Sequence, residues 1–274
     1  MKCKVCNNNA YELFNTNVLN KYLVKYYKCK NCEFIQTEEP YWLDEAYASP
    51  ISFIDVGILH RNIYLSNEVP KIIEKYDTSN SIYLDYGGGY GIFVRLMRDK
   101  GFNFYLSEIY ADNLFCKHFT FEDAGIKTGF TSLTSFEVFE HLLDPMADIK
   151  TMFSMSDTII FSTQLQPNFQ LSKSEDWWYF VPEGGQHISF YSIRTLEVIS
   201  EIFNCYLYSN GTDIHILTKK IITNPFKDSK FNYTLIDRLM RWVKKKPKNE
   251  FFLKETLLYK DFDFYKKIIN GRNI

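Results

Sequence analysis

Ser81-Ile82-Tyr83-Leu84-Asp85-Tyr86-Gly87-Gly88-Gly89-Tyr90-Gly91 runs from an apolar segment directly into a turn that fits D-x-G-x-G-x-G at every fixed position. The apolar half reads as a buried strand. Ile92 to Lys100 then reads as a helix with Phe93, Leu96 and Met97 on one face, stopped by Gly101. Glycines at a strand-to-helix turn let the backbone bend sharply and approach a ligand with no Cβ in the way. The dinucleotide fingerprint G-x-G-x-x-G/A, counted from Gly87 and Gly89, would place its last small residue at Ile92, and this mismatch argues against a dehydrogenase.

Outward from the turn, strands and helices alternate. Ile51 to Lys75 has loosely helical apolar spacing. Phe102 to Leu106 and Phe130 to Phe136 read as strands, and Leu142 to Met155 as a helix before the apolar strand Thr158-Ile159-Ile160-Phe161. Asn210-Gly211, between Cys205–Ser209 and Asp213–Thr218, marks a hairpin. The expectation is a parallel sheet with helices on both faces, closed by an antiparallel hairpin. Ligands of such sheets bind beyond the carboxyl ends of the strands. Asp85 suits a ligand's ammonium, directly or through water, and Glu108, 23 positions later at the end of the second strand, suits a pair of ribose hydroxyls. S-adenosylmethionine (SAM) offers both groups and no pyrophosphate.

With 274 residues, 46% of them hydrophobic, the chain is long enough for one α/β domain of roughly 200 residues and a small appendage. No apolar run approaches the roughly 20 residues that a bilayer demands, and Met1-Lys2-Cys3-Lys4-Val5-Cys6 lacks the apolar core of a signal peptide, so a cytoplasmic location is expected. A formal net charge of -1 gives no long-range attraction for phosphates, which disfavours a nucleic acid partner apart from a local patch at Lys244, Lys245, Lys246 and Lys248. The oligomeric state is not legible.

Four of the six cysteines form two C-x-x-C pairs, Cys3/Cys6 and Cys29/Cys32. Each pair presents two sulfurs to one side, and two pairs complete a tetrahedral S4 shell for zinc. Four thiolates leave no open position, so the metal is expected to be structural, stabilising a segment too small for its own core. Residues 1–40 are therefore expected to be a zinc module, 41–220 the catalytic domain, and 221–274 a basic helical extension.

The glycine turn, Glu108 and Thr134-Ser135-Phe136-Glu137-Val138-Phe139-Glu140-His141-Leu142 together resemble the class I SAM-dependent methyltransferase family over roughly residues 50 to 220. The resemblance implies a Rossmann-like, seven-stranded sheet with its last strand antiparallel. It also implies that Asp85, Gly87, Gly88, Gly89, Tyr90, Gly91, Glu108 and Glu137 hold the cofactor. Joined to the paired C-x-x-C module, the domain is similar to the zinc-bearing sugar C-methyltransferases. That likeness implies a nucleotide-linked sugar or surface-glycan precursor as substrate, His187 of Gln186-His187-Ile188-Ser189-Phe190-Tyr191-Ser192 as the base, and Tyr47 as a cover for the cofactor. Two features depart from that group: Gln186 stands where it commonly has glutamate, and residues 221–274 are too few for its large C-terminal domain.

Methyl transfer is an in-line displacement, so the protein aligns two reactants and removes a proton from the acceptor. A histidine titrates near neutral pH, which makes His187 the first candidate base and His141 the second, each with the alternative of a packed, non-catalytic ring. Trp177, Trp178 and Tyr179 offer rings for a sugar or a base, or simply core. Competing functions are an O- or N-methyltransferase of another small metabolite, a zinc-ribbon protein that binds nucleic acid, and a SAM-fold protein without catalysis.

Overall fold

The computed structural model describes residues 1–49, 52–74, 78, 80–226, 266, 267 and 270. Most of the expected C-terminal extension, residues 227–265 in particular, lies outside the described residues. Two sheets organise the rest. The first contains β1 (Ala10–Val18), β2 (Tyr22–Cys29), β3 (Ile35–Thr37) and β8 (Ser189–Phe190) in that order, all antiparallel. The second is the mixed sheet β5 (Phe104–Ser107), β4 (Tyr83–Tyr86), β6 (Ser132–Phe136), β7 (Thr158–Ser162), β10 (Ile214–Thr218) and β9 (Tyr206–Ser209).

In the mixed sheet β5, β4, β6 and β7 run parallel, and β10 is antiparallel to both of its neighbours. The parallel strands are apolar because helices cover both faces. On one face α2 (Ile58–Ile73) and α3 (Ile92–Asp99) bury Leu65, Val69, Phe93 and Met97 against Tyr83, Phe104 and Ile216. On the other, α4 (Pro145–Met155) and α5 (Ile193–Ile202) bury Ile149, Met152, Leu196 and Ile199 against Leu84, Leu133 and Phe161. Cys3, Val5, Cys29, Cys32 and Phe34 belong to this second core, so the N-terminal segment and the mixed sheet share buried surface.

Six strands stand where seven were expected among the described residues. Beyond β5 the remaining place is taken by a single parallel bridge between Leu106 and Thr120, because the 108–131 segment is held by side-chain turns instead of a ladder. The hairpin also departs from a two-residue turn. Asn210 Oδ1 accepts the backbone N–H groups of Thr212, Asp213 and Ile214, so one amide side chain shapes the whole loop. In the stretch after β3, Trp42 is buried to 1% exposure, and its Nε1 donates to the Gly185 carbonyl at 2.8 Å.

Helix α3 begins at Gly91, whose φ of +83° is left-handed, and a Cβ there would collide with Cys116 Sγ. Replacing Gly91 with alanine combines a strained φ with a clash at a packed sulfur and is expected to cost at least about 2 kcal/mol. Thermal unfolding should then shift down by roughly 4–8 °C. An unchanged melting temperature would show that the turn can relax around a side chain.

Candidate active site

The glycine turn lies at the carboxyl end of β4. Gly87 and Gly89 both have positive φ, at +70° and +56°. Gly87 is pressed beneath Val138, whose Cγ2 would stand 2.7 Å from a Cβ, whereas Gly89 has no atom within 4 Å of that position. The turn is therefore tight on its inner side and open at Gly89. Around that opening the Tyr90 carbonyl accepts the N–H groups of Leu114 and Phe115, which ties the post-β5 loop to the turn. Glu108 strengthens the tie. Its Oε2 accepts from Gly89 N–H at 2.8 Å, and its Oε1 accepts from Ile109, Tyr110 and Ala111 N–H groups at 2.8, 2.6 and 3.2 Å.

Asp85 is 2% exposed and accepts from the Thr134 hydroxyl at 2.7 Å. Burial pushes its carboxyl up to about 7. It thus lies beneath the turn, packed against Gly88, whose added Cβ would strike Asp85 and Leu106. An open glycine face, a carboxylate at the end of β5 and a buried acid below the turn fit SAM's amino acid and ribose parts.

The segment after β6 carries a second set of groups. Glu137, at φ +55°, donates its backbone N–H to Ser162 Oγ at 2.8 Å and accepts that hydroxyl on Oε1 at 2.6 Å. Its Oε2 lies 3.5 Å from Arg61 Nε, while Arg61 Nη2 also meets Asp55 at 2.6 Å. Burial, with Glu140's charge next, raises Glu137 to about 7. Glu140 itself is 0% exposed, and neither of its carboxylate oxygens has a hydrogen-bond partner among the described residues. The neighbouring Tyr179 hydroxyl feels its charge but lacks hydrogen-bond geometry to it; burial first and Glu140 next push Tyr179 well up.

His141 Nδ1 lies 3.0 Å from the Gln186 carbonyl and 3.1 Å from the Tyr47 hydroxyl. His187 Nδ1 lies 2.7 Å from the Tyr179 carbonyl. A carbonyl oxygen only accepts, so in each ring Nδ1 carries a proton. Loss of solvation, then the charge of His141, pulls His187 down to about 3, so its ring is neutral at ordinary pH. The two rings stand 5.0 Å apart at 81°. Tyr47 stacks on Tyr110 at 6.0 Å, joining the linker to the post-β5 loop.

The N-terminal sheet positions this cluster. Strand β3 pairs with β8, Ile35 against Phe190 and Gln36 against Ser189, and Thr37 N–H donates to the Ile188 carbonyl. Ile188 N–H donates to the Glu140 carbonyl and Ser189 Oγ to that of Leu142. Gln186 is buried, with Nε2 donating to the Ala46 carbonyl at 2.9 Å. Segments 139–142 and 186–191 are thereby clasped together. Nearby, Trp177 and Tyr179 are core residues, while Trp178 is 55% exposed.

Cys3, Cys6, Cys29 and Cys32 bring their four sulfurs within 4.8 Å of one another, with Cys3–Cys32 and Cys6–Cys29 at 3.5 Å. These separations are far beyond a disulfide's roughly 2.05 Å and close to the sulfur–sulfur edge of a tetrahedron with bonds of about 2.3 Å. The donor set fits zinc.

Every candidate read from the sequence thus falls into one of three places. Asp85, Gly87 to Gly91 and Glu108 form the turn site; Glu137, His141, His187 and Tyr47 line its neighbour; the cysteines stand apart. Sequence reasoning passed over Glu140, Arg61 and Asp55. Glu140 sat inside a quoted motif, and its spacing E-x-x-E-H was a usable signal; Arg61 and Asp55 had none.

This sheet order, glycine turn and strand-end carboxylate make a Rossmann-like α/β fold with a nucleotide-type turn. A family model for the methyltransferase domain matches residues 59–210, more than half of the 274-residue chain, and the chain belongs to that family. A comparison with curated proteins finds no match. Among solved structures the fold is similar to TnmH, at 11% identity over 66% of this chain and 62% of that one, with a TM-score of 0.46. It is also similar to magnesium protoporphyrin IX methyltransferase from Synechocystis PCC 6803, at 12% identity over 65% of this chain and 93% of that one, TM-score 0.45. A third is a possible histamine N-methyltransferase from Thermotoga maritima, at 14% identity, 60% and 92% coverage and TM-score 0.38. The chain spans less than two thirds of TnmH. Among the described residues no helix is long and apolar enough to cross a membrane.

The buried acid under the turn yields a test. Asp85 has a folded pKa of about 7 against an ordinary 3.8, so the native state retains a proton that the unfolded chain releases. Its contribution to stability is full below about 3.8 and is lost as pH rises to about 7. Asp85→Asn remains neutral throughout. The variant's melting temperature should therefore gain on that of the wild type between pH 5 and pH 8; a difference independent of pH would contradict the raised carboxyl.

Proposed function

We propose that this enzyme moves the SAM methyl group to a hydroxyl of a small polar acceptor, with a carbohydrate or surface-glycan precursor, free or nucleotide-linked, as the expected class. The observation that carries the reading is the pair of imidazoles, 5.0 Å apart, whose Nδ1 positions face backbone carbonyls, with the His187 ring neutral. Such a pair activates the acceptor, and His187 Nε2 is the first candidate to take its proton. His141 stands beside it as the second candidate. Tyr47, joined to His141 and stacked on Tyr110, covers the cofactor side. Glu108 takes the ribose hydroxyls, with Asp85, Gly87, Gly88, Gly89, Tyr90, Gly91 and Glu137 shaping the rest of the cofactor's seat.

An oxygen acceptor is favoured over carbon. Carbon methylation requires a carbanion, and Gln186, at the place where the sugar C-methyltransferases commonly carry glutamate, spends its amide on Ala46. The carbohydrate class rests on the cysteine module joined to this domain and on the exposed rings of Tyr110 and Trp178 near the site. Residues 1–40 serve as a zinc-stabilised module, 41–220 as the catalytic domain in a cytoplasmic protein, and no nucleic acid partner is invoked. An N-acceptor in another metabolite is the second reading, and mass analysis of products from a panel of nucleotide sugars, glycan precursors and amines separates the two.

Two substitutions dissect the site. Glu108→Ala should weaken SAM binding by about ten- to a hundred-fold, the worth of a charge-assisted hydrogen bond of roughly 1.5–3 kcal/mol. His187→Ala should leave SAM affinity nearly intact and cut turnover by about 100- to 10,000-fold. Calorimetry and single-turnover rates check both, and normal turnover in His187→Ala would remove that residue from the chemistry.

Zinc content gives the remaining check. One tightly held zinc per chain is expected at Cys3, Cys6, Cys29 and Cys32, and Cys29→Ser should lose metal and thermal stability together. Folded, active wild-type protein containing no zinc would refute the module's metal.

A further inference from the structure

We infer that Glu140, His141 and His187 form a second metal site, a two-histidine, one-carboxylate seat for a divalent first-row transition ion beside the cofactor turn. It rests on the reading of this cluster as the acceptor-activating group and specifies what fills it. One ligand atom from each residue lies within 4.8 Å of the others. Bonds of about 2.0–2.2 Å would be reached by side-chain shifts on the order of an ångström.

Three further observations point to a cation. Glu140 is 0% exposed with both carboxylate oxygens unpartnered, and a buried carboxylate without a donor is costly unless an ion or proton satisfies it. Both imidazoles have Nδ1 on a backbone carbonyl, which turns Nε2 into the ligating nitrogen; an outer hydrogen bond of this kind holds metal-ligating histidines in place. Direct ion pairing also leaves Glu140 out. Asp55, Glu137 and Glu140 all act on one guanidinium, Arg61, whose direct ion pairs among the described residues go to Asp55 and Glu137 and not to Glu140.

The donor set selects the ion. Two imidazoles and a carboxylate suit Mn2+, Fe2+, Co2+ or Zn2+ better than Mg2+ or Ca2+, which prefer oxygen alone. Three protein ligands leave open positions, so an acceptor oxygen can join the shell. This separates the site from the four-cysteine cluster, which is closed. Ligation would occupy His187 Nε2, so in the loaded enzyme His187 holds the ion instead of taking a proton.

Mn2+ is the probe of choice, because its low place in the affinity order and its preference for nitrogen and oxygen leave a thiolate-bound zinc undisturbed. Purified full-length protein is first analysed for metals and then titrated with Mn2+ while the electron paramagnetic resonance signal of free Mn2+ is followed. The expected result is a metal equivalent beyond the zinc, resident or taken up as Mn2+, lost by at least ten-fold in affinity in both Glu140→Gln and His187→Ala. One retained zinc per chain and unaltered melting in the variants would show that the fold is kept. Wild-type protein with neither a second resident ion nor Mn2+ uptake, or uptake indifferent to both substitutions, overturns the site. Methyl transfer that survives a chelator yet dies in His187→Ala would overturn it too, while leaving the methyltransferase reading intact with His187 as a free base.

Discussion

Two rungs of antiparallel ladder, Ile35 against Phe190 and Gln36 against Ser189, are the constraint on which the site depends. They attach an N-terminal hairpin to a segment more than 150 residues further along, and with it His187. The Ile188 N–H donating to the Glu140 carbonyl and the Ser189 hydroxyl donating to the Leu142 carbonyl pass that position on to the post-β6 segment. Thr195 Oγ1 donating to the Cys32 carbonyl, and Gln166 Nε2 to the Glu33 carbonyl, add anchors at the second cysteine pair. The cysteine cluster therefore sits behind the site as a brace, and its order is transmitted through hydrogen bonds and not through any ligand shared with substrate.

The same clasp explains the electrostatics. Asp85, Glu137 and Glu140 are carboxylates held at the ends of buried strands, where water is excluded and charge is expensive. Asp85 is answered by Thr134, and Glu137 by Ser162 and Arg61. Among the described residues Glu140 has no hydrogen-bond partner and only the longer-range attraction of Arg61. An active site concentrates such unresolved groups because the same desolvation that destabilises the resting protein sharpens its interactions with a bound partner.

Ordering within the turn follows a different logic. Glu108 spends both oxygens on backbone N–H groups, one of them from Gly89, so it shapes the post-β5 loop as well as facing the ribose position. A ligand there must share or displace these bonds, which couples cofactor binding to the order of residues 109–111. Tyr110, 72% exposed at the loop's edge and stacked on Tyr47, extends that coupling to the linker.

Local pattern was enough for much of this. The D-x-G-x-G-x-G turn, the alternation of strands and helices, the closing hairpin and the two C-x-x-C pairs were all legible, because each depends on backbone conformation or ligand spacing within a few residues. The side-chain turns that reduce the seventh strand to one bridge, and the Asn210-built hairpin loop, arise from individual hydrogen bonds that periodicity does not encode. The candidate histidines were visible as residues, but their tautomers, their 5.0 Å approach and the orphaned Glu140 were not. Those properties depend on carbonyls and charges brought from residues 55, 61, 179 and 186. Sequence by itself determined the class of fold and the inventory of donors. Only the tertiary structure decided which donors meet, which are already satisfied and which remain free to act, since long-range packing sets desolvation and hydrogen-bond partnership.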